Sequence, residues 1–357
     1  MYDLWVNYPA IPAQEAAVSG ALRGLLEGGA PLPAAYGPPQ GAEAARRAIA
    51  PLLGLAPGQA LALTCGGQSA LSVAFAAALA AAGPGRRRIA MEAHTFPMAR
   101  HFLALEGVPT LGLPMDAEGM DLAALEQALA GPEPPGVLYV MPVVHNPLGL
   151  TYSAARLAAL AAIVARHDLW VVEDEAYAFL AAPELRPPSL ASLLPERVFG
   201  MWSLSKMVSL SLRLGAVSAP AALAEVAAEQ IRIRGLTANP VIAAATARLA
   251  EDGTAARLMA EKRAEGAARR ALAREILGAA RFATEPGDSW HIWMHRPAGE
   301  AEADFLARAR AAEVSLAPAT PFRHAGGEAP FFRLSLGGEA ERARLAEGLE
   351  RLARVLT

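Results

Sequence analysis

The strongest constraint on the fold is an alternation, between residues 88 and 219, of short apolar runs with longer segments whose apolar residues recur at helical spacing. The runs predict strands at 88–91, 110–113, 137–141, 169–173, 197–202 and 214–219, with helices at 98–105, 122–129 and 153–167. Strands joined through helices of this length form mainly parallel sheets with helices on both faces. The sequence therefore predicts a large α/β domain.

The flanking segments predict a smaller α+β domain and an arm. Alanine- and arginine-rich helices at 221–234, 241–252, 255–278, 301–312 and 339–355 accompany strands at 290–295 and 331–336. The first 35 residues hold one helical pattern, 14–26, among prolines, and helices at 42–53 and 68–82 follow. We expect an arm at 1–35 that joins the small domain, a large domain at 36–235 and a small domain at 236–357.

Composition excludes several classes of protein. The 357 residues carry a formal charge of −3 with both signs interspersed, which favours neither nucleic acid nor a membrane surface as a partner. No apolar stretch reaches the roughly 18 residues of a membrane helix. The single Cys65 cannot form an intramolecular disulfide, and the amino terminus resembles no secretory signal, so we expect a cytoplasmic protein.

Polar residues follow several predicted strands at the point where each strand ends. Asn146 comes after strand 137–141, Asp174 and Tyr177 after strand 169–173, and 203–206 after strand 197–202. In parallel sheets, ligands bind beyond these carboxyl ends. Gly67 opens a helix, where free N–H groups favour an anion such as phosphate. These residues therefore predict one shared site.

Lys206 stands out within this site. Only two of the 32 lysine and arginine residues are lysine, Lys206 and Lys262. An arginine stays protonated in proteins, whereas a lysine amine can lose its proton and attack a carbonyl to form a Schiff base. Taken alone, Lys206 is equally compatible with an ordinary surface cation, and its neighbours decide between the two interpretations.

The motifs in combination resemble those of pyridoxal-phosphate enzymes of fold type I, in particular the class I/II aminotransferase family. They are Asn-Pro-x-Gly at 146–149, Asp-x-x-Tyr at 174–177, Ser-x-Ser-Lys at 203–206 with Arg213 seven residues on, and Phe-Arg-Leu-Ser at 332–335. The resemblance covers roughly residues 36 to 335. The seven-residue interval resembles the α-aminoadipate aminotransferase-like branch.

The resemblance implies roles around the cofactor ring. Lys206 would bind the cofactor as a Schiff base and then move a substrate proton. Asp174 would face the pyridine nitrogen and keep it protonated. Tyr177 and Asn146 would hydrogen-bond the ring oxygen. Phe96 would stack on the ring, where relatives more often have tyrosine.

The resemblance also implies a phosphate site. The main chain at Gly67 and Gln68, the hydroxyls of Ser203 and Ser205, and the guanidinium of Arg213 would hold the phosphate.

Two further residues complete the implied site. Arg333 would bind the substrate α-carboxylate through two parallel hydrogen bonds, with Asn146 beside it. Tyr36 would reach the phosphate of a partner subunit, so the resemblance implies a homodimer. The expected substrates are an amino acid and a 2-oxo acid. We expect the segments 7–12 and 232–239 to contribute to the substrate pocket.

Three functions remain open at this stage. The leading hypothesis is an aminotransferase, and the same cofactor would also serve a lyase, a decarboxylase or a cyclising synthase. A non-catalytic sensory domain is the third. His291 and His295 share a face of a predicted strand, but no further metal ligand lies at suitable spacing, so we predict ordinary histidines and no metal site.

Overall fold

The structure, a computed structural model, describes residues 1–28 and 36–357. Its strands in chain order are β1 (Tyr2–Leu4), β2 (Gln59–Thr64), β3 (Ile89–Glu92), β4 (Thr110–Leu113), β5 (Met115–Asp116), β6 (Gly119–Met120), β7 (Val137–Val140), β8 (Trp170–Asp174), β9 (Val198–Trp202), β10 (Gly215–Pro220), β11 (His291–His295), β12 (Val314–Pro318) and β13 (Phe331–Ser335).

The helices surround these strands. In chain order they are α1 (Ala13–Glu27), α2 (Glu43–Leu53), α3 (Gly67–Ala82), α4 (Pro97–Leu105), α5 (Leu122–Leu129), α6 (Ala154–Arg166), α7 (Leu190–Leu193), α8 (Leu204–Met207), α9 (Ala224–Gly235), α10 (Pro240–Glu251), α11 (Thr254–Leu277), α12 (Glu302–Ala311) and α13 (Arg342–Val355). None of the helices in residues 1–28 and 36–357 is long and apolar enough to cross a membrane.

The large sheet has seven strands in the order β2-β10-β9-β8-β7-β3-β4. The neighbours from β9 to β4 pair in parallel, and β10 pairs antiparallel with both β9 and β2. Strands β3, β7 and β9 are buried along their whole length, as strands covered on both faces must be. The predicted α/β fold with a mainly parallel sheet is confirmed.

The second sheet has four strands in the order β1-β12-β13-β11. Strand β1 pairs in parallel with β12, so residues 2–4 form one edge of this sheet. Helices α12 and α13 pack against it and enclose a separate apolar core. The chain leaves β1 at Trp5, whose carbonyl oxygen accepts from Arg333 of β13, and continues through residues 5–12 toward the large sheet.

Sequence reasoning missed three strands of these two sheets. Strands β1, β2 and β12 were not predicted, and the hairpin of β5 and β6 was also missed. β1 is only three residues long, and its partner β12 lies more than 300 residues away, so no local pattern identifies it. The part of the predicted arm at 29–35 lies outside the described residues.

Helix α3 packs against the centre of the large sheet. Eight of its side chains are buried, half of them alanines, and small side chains let a helix approach the strands closely. Its first residue, Gly67, follows Gly66, whose φ of +100° is unfavourable for other residues. The amino terminus of α3 therefore opens at the carboxyl end of the sheet.

Candidate active site

A cavity of about 340 Å³ lies at the carboxyl ends of β7, β8 and β9. Ten of the eleven residues that the sequence predicted to bind the cofactor line it, together with Arg333: they are Gly67, Gln68, Phe96, Asn146, Asp174, Tyr177, Ser203, Ser205, Lys206 and Arg213. The exception is Tyr36, which is 84% exposed. The cavity walls come from both sheets.

Lys206 lies in α8, the single turn that follows β9. Its main-chain N–H donates to the Ser203 carbonyl oxygen at 2.9 Å, and the Ser205 N–H donates to the Leu214 carbonyl oxygen at 3.1 Å. The side chain extends into the cavity, where Nζ lies 4.7 Å from the centre of the Tyr177 ring and donates to the main-chain oxygen of Asn7 at 2.9 Å. The lysine amine is thus fixed in direction inside the cavity.

One end of the cavity is suited to an anion. The first turn of α3 offers unpaired main-chain N–H groups at Gly67 and Gln68. A Cβ on Gly67 would lie 2.9 Å from the Cβ of Ser203, so only glycine lets the segments around Gly67 and Ser203 approach this closely. Arg213 adds a positive charge and holds a left-handed φ of +46°, a strained conformation typical of functional sites.

Asp174 lies elsewhere in the cavity and is buried. Its Oδ1 accepts the Ala176 N–H at 2.9 Å, and its Oδ2 accepts the Tyr139 hydroxyl at 2.8 Å. Burial raises the pKa of Asp174 to about 6, while both hydrogen bonds and the positive charge of Lys206 oppose that rise. A buried carboxylate with few compensating charges favours a cationic partner.

Arg333 extends from β13 toward Asn146. Its Nη1 donates to Asn146 Oδ1 at 3.0 Å, and its Nη2 donates to the Trp5 carbonyl oxygen at 2.9 Å. The guanidinium also lies 4.9 Å from the centre of the Phe322 ring. Burial lowers the pKa of Arg333 to about 10, so the group remains a cation at neutral pH. A substrate carboxylate would meet a positioned, desolvated positive charge.

Residues 5–7 form the opposite side of the cavity. The Asn7 carbonyl oxygen accepts the Tyr177 hydroxyl at 3.1 Å as well as the Lys206 amine. Asn7 Nδ2 donates to His291 Nδ1 at 2.9 Å, and the other ring nitrogen of His291 donates to the His145 carbonyl oxygen at 2.9 Å. Burial lowers the pKa of His291 well below its usual value, so it acts as a neutral support.

The structure places other predicted residues differently. The segment 7–12 contributes Asn7 to the cavity, whereas the expected contribution of 232–239 is wrong, since none of those residues lines it. Tyr139 was missed, although a tyrosine inside an otherwise apolar strand is a signal, because a buried hydroxyl needs a partner. Lys262 is one of only two lysines, but no local pattern around it predicts a role.

Comparison with known proteins decides the family. The sequence profile described as "Aminotransferase class I and II" matches residues 15–352. The chain belongs to the class I and II aminotransferase family. The predicted pyridoxal-phosphate-dependent aminotransferase is thereby confirmed, and nothing in the comparisons favours a lyase, a decarboxylase or a synthase. Transcriptional regulators also match, but only over about half of this chain.

Individual relatives agree with this membership. The aminotransferase is 33% identical to the 2-aminoadipate transaminase of Thermus thermophilus over 98% of this chain and 87% of the relative. It superposes on the structure of LysN, the α-aminoadipate aminotransferase of Thermus thermophilus complexed with N-(5'-phosphopyridoxyl)-L-leucine, with a TM-score of 0.88 and 26% identity, covering 100% of this chain and 92% of that one.

A more distant structure shares the fold of the aminotransferase. The kynurenine aminotransferase of Pyrococcus horikoshii matches with a TM-score of 0.88 at 22% identity, over 100% of this chain and 90% of that one. The resemblance to the α-aminoadipate branch is confirmed by the nearly full-length match to the Thermus enzyme.

Proposed function

We propose that this aminotransferase holds pyridoxal phosphate in the cavity between the two sheets and transfers amino groups between an amino acid and a 2-oxo acid there. One observation carries the residue assignments: an imine-capable lysine, a buried carboxylate, an anion-binding helix terminus and a buried arginine all line a single cavity. When bound, the cofactor supplies a carbonyl carbon for amine exchange and an electron sink for a carbanion.

The buried groups of the cavity fit this cofactor. Lys206 would bind it covalently through Nζ, and the α3 terminus with Ser203, Ser205 and Arg213 would bind its phosphate. Asp174 would pair with the protonated pyridine nitrogen, which relieves the cost of burying an unpaired carboxylate.

The same residues would then handle the substrate. Arg333 would bind the α-carboxylate by exchanging its contact with the Trp5 carbonyl for two charge-assisted hydrogen bonds. After the substrate amine has displaced the Lys206 amine from the cofactor, Lys206 would accept a proton from the substrate Cα and donate it to the cofactor. Tyr177 lies close enough to Lys206 to orient that amine.

We propose that the preferred amino donors have apolar or aromatic side chains. Trp5, Val6 and Leu210 line the cavity while each remains about half exposed, at 47%, 48% and 47%. An apolar donor side chain would cover this surface. Among the described residues that line the cavity, the cations are Lys206, Arg213 and Arg333, each with a role already assigned, so a second carboxylate finds no partner there.

We also propose a homodimer in which Tyr36 reaches the partner's phosphate site. The support is that Tyr36 is an aromatic residue 84% exposed and outside the cavity of its own chain. A partner surface would cover this side chain and remove its apolar area from water. We place the enzyme in the cytoplasm, because an unpaired, exposed Cys65 suits a reducing compartment.

The experiment is a spectral titration followed by a donor panel. Purified protein is loaded with pyridoxal phosphate, and loss of the visible band is recorded as leucine, phenylalanine, 2-aminoadipate, glutamate or aspartate is added. The aminotransferase assignment requires conversion to the pyridoxamine form with at least one donor and its reversal by a 2-oxo acid. A dicarboxylic donor that reacts more than about tenfold faster than leucine and phenylalanine would overturn the apolar preference alone.

A further inference from the structure

The second lysine of the chain is buried directly behind the first. Lys262 lies on α11 and is 0% exposed, although lysine is almost never fully buried without partners. Its Nζ donates to the main-chain carbonyl oxygens of Lys206 and Val208, each at 2.9 Å. Both lysines thus meet at one turn of the chain, one extending into the cavity and the other supporting the turn from behind.

The two carbonyl groups that Lys262 binds lie at the end of α8. The last carbonyl groups of any helix have no partner within the helix, and this helix has only four residues, Leu204–Met207. Without a donor from elsewhere, the turn that carries Lys206 would keep unpaired carbonyl oxygens in a buried region, at a considerable cost. The ammonium of Lys262 supplies that donor.

Lys262 also joins this turn to two other parts of the molecule. Its Nζ lies 5.4 Å from the centre of the Tyr8 ring, and the Tyr8 hydroxyl accepts the N–H of Leu210, just beyond the turn. The main-chain oxygen of Lys262 accepts a hydrogen bond from Trp290 Nε1 at 3.0 Å, and Trp290 immediately precedes β11. One side chain therefore connects α11, the amino-terminal segment and the Lys206 turn.

The burial of Lys262 is costly. Desolvation, and next the positive charge of Lys206, lower the pKa of Lys262 to about 7, with Glu15 acting in the opposite direction. A chain that uses arginine almost everywhere has lysine here, where two carbonyl oxygens and an aromatic ring leave room for a compact ammonium.

We propose that Lys262 is a positioning residue for the reaction: it fixes the main chain of the Lys206 turn and so holds the Lys206 amine in line with the substrate. The proposal rests on the aminotransferase function proposed above. It assigns Lys262 no contact with substrate or cofactor, since Lys262 does not line the cavity.

The same helix offers a matched control. Arg269, two turns further along α11, is also buried, at 1% exposure. Its guanidinium donates to the carbonyl oxygens of Leu336, Glu339 and Ala340, at 2.7, 2.6 and 2.7 Å. Arg269 thus stabilises main-chain carbonyl groups as Lys262 does, but those groups lie far from Lys206 in the chain.

The test compares Lys262→Met with Arg269→Met in the loaded enzyme. We expect Lys262→Met to lower kcat by about tenfold or more, with the donor KM changed less than about threefold, while Arg269→Met leaves kcat within about threefold. Hydrogen exchange supplies a readout independent of activity: amides at 204–209 should exchange about tenfold faster in Lys262→Met, and those at 336–340 in Arg269→Met.

Equal values of kcat and equal exchange at 204–209 in the two variants would overturn the proposal. Lys262→Gln, which keeps one donor group, covers the case in which Lys262→Met does not fold. It should show an intermediate kcat, and a kcat equal to the wild type together with faster exchange at 204–209 would also overturn the proposal. Failure of the proposed function is seen separately, as a wild-type protein that forms no visible band or transfers no amino group.

Discussion

Two walls of the cavity differ in how they are built. The strand-end wall consists of Asn146, Asp174, Tyr177, Ser203, Ser205 and Lys206; Asp174 ends β8, and the others lie in the segments that follow β7, β8 and β9 of the large sheet. The small-sheet wall consists of Trp5, Val6, Asn7 and Arg333, which follow β1 or lie on β13. The first wall is polar and fixed by parallel strands, whereas the second combines one cation with an irregular, partly apolar segment.

The difference indicates a division of labour. Groups at the ends of neighbouring strands are held rigidly, which suits a cofactor that must stay in one orientation. The main-chain oxygen of Asn7 accepts from Lys206 and Tyr177 of the first wall, and that of Trp5 accepts from Arg333 within the second wall. A substrate can replace these contacts. We therefore expect variants of the strand-end wall to alter the cofactor, and variants of the small-sheet wall to alter substrate parameters with the cofactor spectrum unchanged.

The largest effect is expected at Lys206. Lys206→Ala removes the covalent attachment and the proton carrier together, so we expect kcat to fall by about 10⁴-fold or more. Lys206→Arg is the matched control, because it keeps the cation but forms no Schiff base. Both variants should lack the visible band of the loaded wild type in stopped-flow and static spectra. A Lys206→Ala variant with the wild-type band and turnover would contradict the assignment.

Arg333 tests the other wall. Arg333→Lys keeps the charge but cannot donate in parallel to a carboxylate, and we expect kcat/KM to fall by about 10²- to 10³-fold, equivalent to about 3–4 kcal/mol. The visible spectrum should stay that of the wild type. Arg296→Lys, another buried arginine that binds main-chain oxygen atoms, is the control for lost stability. A changed spectrum in Arg333→Lys would break the division between the walls.

These two walls also differ in how far the sequence predicted them. The strand-end wall follows local patterns, because an apolar run and the polar residues after it are adjacent in the chain. The small-sheet wall depends on pairing between β1 and β12, and on Trp5 meeting Arg333 across 328 positions. Arg333 was predicted only through resemblance. Tyr139 and Lys262 act through buried tertiary contacts, which no local spacing shows.

Protonation of Asp174, in the strand-end wall, makes the stability of the protein depend on pH. The pKa of Asp174 is about 6 in the folded protein and lower when unfolded, so the folded state binds more protons between about pH 4 and pH 6. The stability this proton contributes is present below pH 4 and lost as pH rises through 6. In cofactor-free protein, the free energy of unfolding of Asp174→Asn should therefore exceed that of the wild type by about 3 kcal/mol at pH 7.5 and equal it near pH 4.

Chemical denaturation at several pH values measures this difference in free energy of unfolding. Loading with pyridoxal phosphate should make the wild type more stable than Asp174→Asn at pH 7.5, because the wild-type carboxylate gains a cationic partner and the amide does not. Tyr139→Phe is the companion variant: it removes a donor to the carboxylate and should raise the pKa of Asp174 further. A pH-independent gap between Asp174→Asn and the wild type would contradict the burial argument.

The smallest effect is expected at Trp5, where the side chain contributes contact area only. Trp5→Ala removes an indole that lines the cavity, while its main-chain oxygen remains available to Arg333. We expect kcat/KM for leucine or phenylalanine to fall by about tenfold, and that for alanine by less than about threefold, because only the larger donors lose apolar contact. Trp5→Phe should retain most of the preference. An equal loss for all donors would mean that Trp5 orders the 5–7 segment rather than contacting the donor side chain, and the apolar specificity would then have to come from Val6 and Leu210.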